Sequence, residues 1–182
     1  VLFISTNLVF DNTKKKRFEY TTTKPVTNYG KMKSICEDEI KKYCKKKYLN
    51  NYFSILRISK VLSYKINPIK TWIQNIKKEN TMLIPNDIYC CPIDLNSLNQ
   101  TMYKIVRNFY NGIFHLSGFK EYTYFELAKK MFGTKKNLKL FKPINSKKLP
   151  KTIYNSKIKT FLSIGKNSKK IGIKKINLSE IK

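Results

Sequence analysis

Tyr29 and Lys33 stand four residues apart in the stretch Tyr29-Gly30-Lys31-Met32-Lys33. On a helix that spacing puts both side chains on one face, with the ammonium beside the phenol. A cation beside a phenol stabilises the phenolate and suits a tyrosine to giving and taking a proton in general acid–base chemistry. In a chain with 12 Tyr and 38 Lys+Arg such a pair arises often by chance, so its meaning rests on what surrounds it. An apolar run, Val1-Leu2-Phe3-Ile4, ends in Ser5-Thr6. A hydroxyl at the carboxyl end of a parallel strand points into the crevice where open α/β sheets bind ligands. Thr6, Tyr29 and Lys33 are therefore candidates for one proton-transfer site, the alternative for Thr6 being a strand-end cap.

The elements that must position these residues are readable in outline. Val1–Ser5 is nearly all apolar, as expected of a strand buried on both faces of a parallel sheet. Thr6–Thr23 is polar, with Asp11-Asn12 as a turn signal. A helix is expected over about Asn28–Lys47, with Ile35 and Ile40 as its apolar stripe and Glu37, Asp38 and Glu39 set opposite many Lys. Asn50-Asn51 breaks it, and Tyr52–Ile58 reads as the next strand. Strand, helix and strand make one βαβ unit with a right-handed crossover.

Farther along, helices are expected over Ile69–Lys78, with Trp72, Ile73 and Ile76 on one face, and over Leu95–Phe109. Strands are expected over Thr81–Ile84 and Gly112–Leu116. Thr123 with Glu126 forms a capping box for a helix Tyr124–Phe132, which Gly133 stops. Leu138, Leu140 and Phe141 alternate as in a strand. The last 30 or so residues carry little pattern. The fold class is α/β: the C-terminal part of a Rossmann-type parallel sheet over 1–63, then a smaller mixed α/β domain over 64–182.

Composition narrows the function classes. The net charge is +27, yet only three of the 38 basic residues are Arg (Arg17, Arg57 and Arg107). Arg forks onto phosphates and guanine edges, whereas Lys is a point charge. The 18 Asn and the single Ala, Ala128, suggest AT-rich codons, so the Lys excess reads as solvated surface rather than a nucleic-acid interface. No apolar run reaches the ~20 residues that cross a bilayer, and no basic n-region opens the chain. The first residue already lies in an apolar run, as in a piece of a longer protein. Cys36, Cys44, Cys90 and Cys91 form no C-x-x-C, and a single His cannot complete a zinc site with them. Reduced thiols in a cytoplasmic protein, with no metal, are the expectation.

The ordered motifs carry a resemblance. Ile4-Ser5-Thr6-Asn7-Leu8-Val9-Phe10-Asp11, then Tyr29-Gly30-x-x-Lys33-x-x-x-Glu37, then Leu56-Arg57-x-Ser59 resemble extended short-chain dehydrogenase/reductases, in the dTDP-4-dehydrorhamnose reductase-like, sugar-nucleotide-binding branch. Asp87 to Pro92, Gly112-Ile113-Phe114-His115-Leu116-Ser117-Gly118, Tyr124-Phe125-Glu126-Leu127-Ala128, Pro143–Ser146 and Ser168–Ile173 follow the same branch in order.

The resemblance implies an NAD(P)-dependent reductase of a nucleotide-activated 4-keto-deoxy sugar, serving surface polysaccharide, with a nucleotide-sugar substrate and a homodimer as the partner state. By position, Thr6 would orient the substrate carbonyl, and Tyr29 would protonate its oxygen as hydride arrives. Lys33 would support the phenolate and bind the nicotinamide ribose. Ser5, Arg57 and Ser59 would join Tyr29 and Lys33 around NADP or NAD, and Asn7, Lys60 and Pro92 would join Thr6 around the substrate. The chain departs from the branch where Lys60 replaces a common Trp, Asn7 an Asp, Cys90 a Gly and Ile93 a Thr. It also lacks the glycine-rich fingerprint that holds a pyrophosphate, so this chain alone is expected to be inactive and to bind dinucleotide weakly. An epimerase or dehydratase, or a non-catalytic sugar-nucleotide-binding protein of the same fold, stands as the alternative. Arg57 is open between an ion pair and a role in the site, Lys60 between a solvated side chain and a contact to substrate. His115 and Trp72 read as structural.

Overall fold

The computed structural model of the chain describes residues 1–11, 17–47, 53–149 and 160–180. Asn12 of the expected turn, the Asn50-Asn51 break and Tyr52 lie outside them. In chain order the elements are β1 (Leu2–Thr6), a 3-10 turn at Asn7–Val9, α1 (Asn28–Lys46), β2 (Ser54–Ile58), β3 (Lys60–Leu62), α2 (Ile69–Lys77), β4 (Met82–Pro85), β5 (Tyr89–Cys90), β6 (Pro92–Asp94), α3 (Leu95–Arg107), β7 (Gly112–Leu116), β8 (Tyr122–Thr123), α4 (Tyr124–Phe132), α5 (Lys135–Leu138), β9 (Phe141–Ile144) and α6 (Lys166–Lys170).

The main sheet is parallel, in the order β1-β2-β7. Its register pairs Thr6 with Ile58, and Ile58 with Leu116, so all three strands end together. That common end is where the crossovers leave the sheet and a ligand crevice opens. Ile55 and Leu56 are fully buried, as the apolar run in β2 requires of a middle strand covered on both faces. The division expected at residue 63 cuts this sheet, because its third strand comes from Gly112–Leu116. The smaller ladders are parallel β3-β6 and β4-β9 and antiparallel β5-β8.

Helix α1 corrects one expectation. Ile35 is exposed and Ile40 half-buried; the face on the sheet carries Gly30, Ser34, Glu37 and Cys44. These recur at helical spacing, and the small side chains of Gly30, Ser34 and Cys44 let α1 lie close to β1. Glu37, expected on the charged outer face, is fully buried because Arg57 meets it there. A second correction concerns 135–141. Thr134 accepts a hydrogen bond from Asn137 N and starts the short helix α5. The strand begins only at Phe141, which is buried opposite Met82. The alternation of Leu138 and Leu140 therefore belongs to a helical turn and its exit.

The core joins both parts of the chain. Leu56, Phe114 and Leu116 of the sheet belong to one cluster with Trp72, Ile84, Ile105 and Leu127. Trp72 lies edge-on to Tyr124, with centroids 6.2 Å apart, and to Phe132 at 6.5 Å. The capping box of α4 forms as expected: Thr123 Oγ1 accepts from Glu126 N, and Thr123 N donates to the Glu126 carboxylate. Among the described residues, no helix is long and apolar enough to cross a membrane.

Candidate active site

The strand end and the start of α1 build the site. Thr6 is the last residue of β1 and caps the 3-10 turn, its Oγ1 accepting from Leu8 N at 3.2 Å. The same hydroxyl donates to Asn7 Oδ1 at 3.3 Å. The cap thus fixes the Thr6 side chain at the mouth of the sheet. Thr27 caps α1, accepting from Gly30 N at 3.0 Å. Gly30 explains why the helix begins where it does: a Cβ there would lie 2.1 Å from the Leu8 carbonyl oxygen. No side chain fits, so the first turn of α1 sits directly on the segment that follows Thr6, and Tyr29 reaches the crevice.

Lys33, one turn later, donates from Nζ to the Ile4 carbonyl oxygen at 2.9 Å. Its ammonium lies 4.6 Å from the Phe3 ring centroid and 5.9 Å from that of Tyr29. The bond to β1 holds the ammonium under the crevice instead of letting it swing to solvent. Tyr29 is about half exposed (48%), open to an incoming molecule. Thr6, Tyr29 and Lys33 line a single cavity of about 1390 Å³. The rest of its lining includes residues distant in sequence, among them Trp72, Tyr89, Tyr124 and Thr160.

Of the other expected site residues, Ser5, Asn7, Ser59 and Lys60 line this cavity, whereas Arg57 and Pro92 do not. Pro92 is buried in β6, paired with Lys60 of β3. Arg57 resolves as an ion pair. Its Nε lies 3.0 and 3.2 Å from the two Glu37 oxygens, its Nη2 lies 2.6 Å from Oε2, and both residues are at most 1% exposed. Ser5 Oγ donates to the same carboxylate at 2.5 Å. The pair therefore ties β1, β2 and α1 together directly beneath the crevice. Glu37 closes the Tyr29-Gly30-x-x-Lys33-x-x-x-Glu37 motif, yet its buried role beneath the site is not among the expected site residues. The available signal was its place four and eight residues after Lys33 and Tyr29, on the face that turns to the sheet.

His115 completes this buried layer. Its Nδ1 donates to the Ser163 carbonyl oxygen at 3.0 Å, and its Nε2 faces Arg57 Nη1 at 3.4 Å, so the ring is neutral with the proton on Nδ1. Burial first, and then the Arg57 charge, bring its pKa down to about 4. Glu19, also unrecognised in the sequence, accepts from Gly165 N, Ser168 N and Ser168 Oγ and pins α6 beside β7. All four cysteines are free thiols. Burial pushes Cys90 up to about 12 and Cys91 up to about 11. Among the described residues, no group of three or more His, Cys, Asp or Glu is placed to hold a metal ion.

Comparisons with known proteins agree with this architecture. The sequence model of the RmlD substrate binding domain matches residues 1–178. No curated protein matches the chain. Among solved structures, dTDP-4-dehydrorhamnose reductase from Bacillus anthracis in complex with NADP superposes with a TM-score of 0.78 at 22% identity, over 97% of this chain and 60% of that one. dTDP-glucose 4,6-dehydratase from the same organism, in complex with NAD, gives 0.69 at 15% identity, over 93% and 53%. UDP-glucuronic acid 4-epimerase from Bacillus cereus, also with NAD, gives 0.75 at 14% identity, over 98% and 57%. These likenesses show a shared fold, and the chain spans little more than half the length of each.

Proposed function

The chain belongs to the RmlD substrate binding domain family, and from that premise we propose that it is the catalytic and substrate-binding part of an NAD(P)-dependent reductase. The substrate is a nucleotide-activated 4-keto sugar, with the 4-keto-deoxy sugars of surface polysaccharide as the first candidates. The observation that carries the reading is the single cavity lined by the Thr6 hydroxyl, the Tyr29 phenol and a Lys33 ammonium fixed to the Ile4 carbonyl.

The residues present suit a nicotinamide cofactor. The buried Ser59 Oγ, just after β2, lines the cavity and has no hydrogen-bond partner among the described residues, which fits a polar group of a bound ligand. Lys33 and Ser59 would hold the nicotinamide end. The bound cofactor would supply hydride to the carbonyl carbon. As negative charge grows on the carbonyl oxygen, the Tyr29 hydroxyl hands it a proton. Thr6, held by Leu8 N, fixes where that oxygen sits. The Lys33 ammonium, 5.9 Å from the Tyr29 ring centroid, puts its positive charge beside the ring that gives up the proton. Ser5 gives its hydroxyl to Glu37 and forms cavity wall. Arg57 acts through that carboxylate, by holding the strand ends in register.

The test is oxidation of NADPH by the complete protein with a 4-keto sugar nucleotide. One reduced sugar should form for each NADPH oxidised. A rearranged sugar with no net NADPH consumption would assign the site to an epimerase, and no reaction with intact binding would make it a sugar-nucleotide-binding protein.

A further inference from the structure

The cavity is lopsided in charge. Among the described residues no Asp or Glu lines it, whereas Lys33 and Lys60 do. The acidic groups nearest its wall are engaged elsewhere: Glu37 with Arg57 and Ser5, Asp87 with Ser146, and Glu121 with Thr160 and Phe161. Residues 150–159 hold no Asp or Glu. Lys33 is committed to Ile4. Among the described residues, Lys60 enters no ion pair. It projects from β3, a strand anchored by the bond from Lys60 N to the Cys91 carbonyl oxygen. Its charge is felt at the Cys90 thiol, another lining residue.

A second, independent donor faces the same space. Asn7 is 6% exposed and lines the cavity, and its Nδ2 has no hydrogen-bond partner among the described residues. Its Oδ1 is already taken by the Thr6 hydroxyl. A buried N–H left unpaired is costly and marks a place where a ligand acceptor completes the structure. The pairing of Thr6 with Ile58 puts Asn7 at the end of β1 next to the residues that end β2, two positions before Lys60.

We propose that Asn7 and Lys60 form an oxyanion subsite beside Thr6, and that the sugar this site accepts carries a carboxylate on the carbon next to the reacting carbonyl. The inference rests on the carbonyl-reductase reading of Thr6, Tyr29 and Lys33, and it replaces the methyl of a deoxy sugar with an acid. The subsite's place favours the sugar over the diphosphate. In a 4-keto hexose, C5 and its substituent adjoin the reacting carbon, whereas the diphosphate hangs from C1 across the ring. Asn7 would give its free N–H to one carboxylate oxygen and Lys60 a charge-assisted hydrogen bond to the other.

Calorimetric titration of the complete protein with UDP-glucuronate and UDP-glucose tests this, since the two differ only in the acid at C6. Binding of UDP-glucuronate should be about tenfold tighter, the size of one good charge-assisted hydrogen bond in a half-exposed cleft. The preference should shrink as salt rises, vanish in Lys60→Met and persist in Lys60→Arg, with unchanged melting temperatures. Equal affinity for the two sugars overturns the subsite but leaves the reductase reading standing. An equal loss for both in Lys60→Met also overturns it, by assigning Lys60 to the diphosphate. Failure of both sugars to bind the unaltered complete protein refutes the sugar-nucleotide reading itself, and the subsite with it.

Discussion

Replacing Glu37 is the sharpest perturbation of the layer under the crevice. Its carboxylate receives Arg57 Nε and Nη2 and the Ser5 hydroxyl, and neither charged partner is more than 1% exposed. In Glu37→Leu, Arg57 keeps, among the described residues, the Glu19 carbonyl oxygen at 3.2 Å, the His115 ring nitrogen at 3.4 Å and the Phe10 ring with its centroid 5.0 Å away. None of them neutralises a guanidinium, which stays charged at any ordinary pH. Breaking one side of a buried pair costs about 3–5 kcal/mol, a large part of the ~5–15 kcal/mol that holds a domain together. For a chain of this size that corresponds to a melting temperature lower by roughly 6–20 °C. Glu37→Gln, which keeps an oxygen for Ser5 and Arg57, should fall at the low end. The double variant Glu37→Leu/Arg57→Met removes both charges, and replacing a whole buried pair by apolar groups is often neutral. It should therefore recover most of the loss. Denaturant unfolding of the unaltered protein, Glu37→Leu, Arg57→Met and the double variant gives the coupling energy directly. A cost below ~1 kcal/mol for Glu37→Leu, or a double variant no better than the single, would refute the claim that this pair is dry and holds the strand ends.

Other outcomes follow from the same geometry. His115 has its folded-state pKa lowered, so the unfolded chain takes up the proton first and stability falls as pH drops from about 6.5 toward 4; urea unfolding at pH 7 and pH 5 should show this loss, and His115→Gln should flatten it. Gly30→Ala ought to stabilise an ordinary helix by up to ~1 kcal/mol, but here the new Cβ meets the Leu8 carbonyl oxygen at 2.1 Å, so it should lower the melting temperature and weaken substrate binding together. A thiol reagent on the native protein should label Cys36 quickly and leave Cys90 and Cys91 unreacted, because burial keeps both protonated; rapid labelling of either would place solvent in that wall.

The parts of the fold legible in the sequence are those with local causes. The apolar run of β1, the long helix α1, the β-rich run of β2 and the Thr123–Glu126 capping box each follow from neighbours in sequence. What stayed hidden depends on partners far away. Ladders of two or three residues, such as β3-β6 and β5-β8, have too little periodicity to announce themselves and exist because tertiary packing supplies the second strand. The buried face of α1 was misread because its contacts are made by Gly30, Ser34 and a neutralised Glu37, while Ile35 faces outward. Hydropathy assigns Glu37 to the surface, and only the position of Arg57, 20 residues on, reverses that. The cavity shows the same split. Thr6, Tyr29 and Lys33 are found by spacing, whereas the wall of Tyr89, Tyr124 and Thr160 is assembled by the fold.

The central claim is that Tyr29 delivers the proton in a carbonyl reduction at this cavity. The most direct measurement is single-turnover reduction of a 4-keto sugar nucleotide by the complete protein and by its Tyr29→Phe variant, with substrate affinity measured alongside. The ring is half exposed, and phenylalanine keeps its size and shape. The account predicts a rate lower by roughly 10²–10⁴-fold with affinity altered by less than about twofold, whereas turnover retained within about threefold, or a rate loss matched by an equal loss of binding, would contradict it.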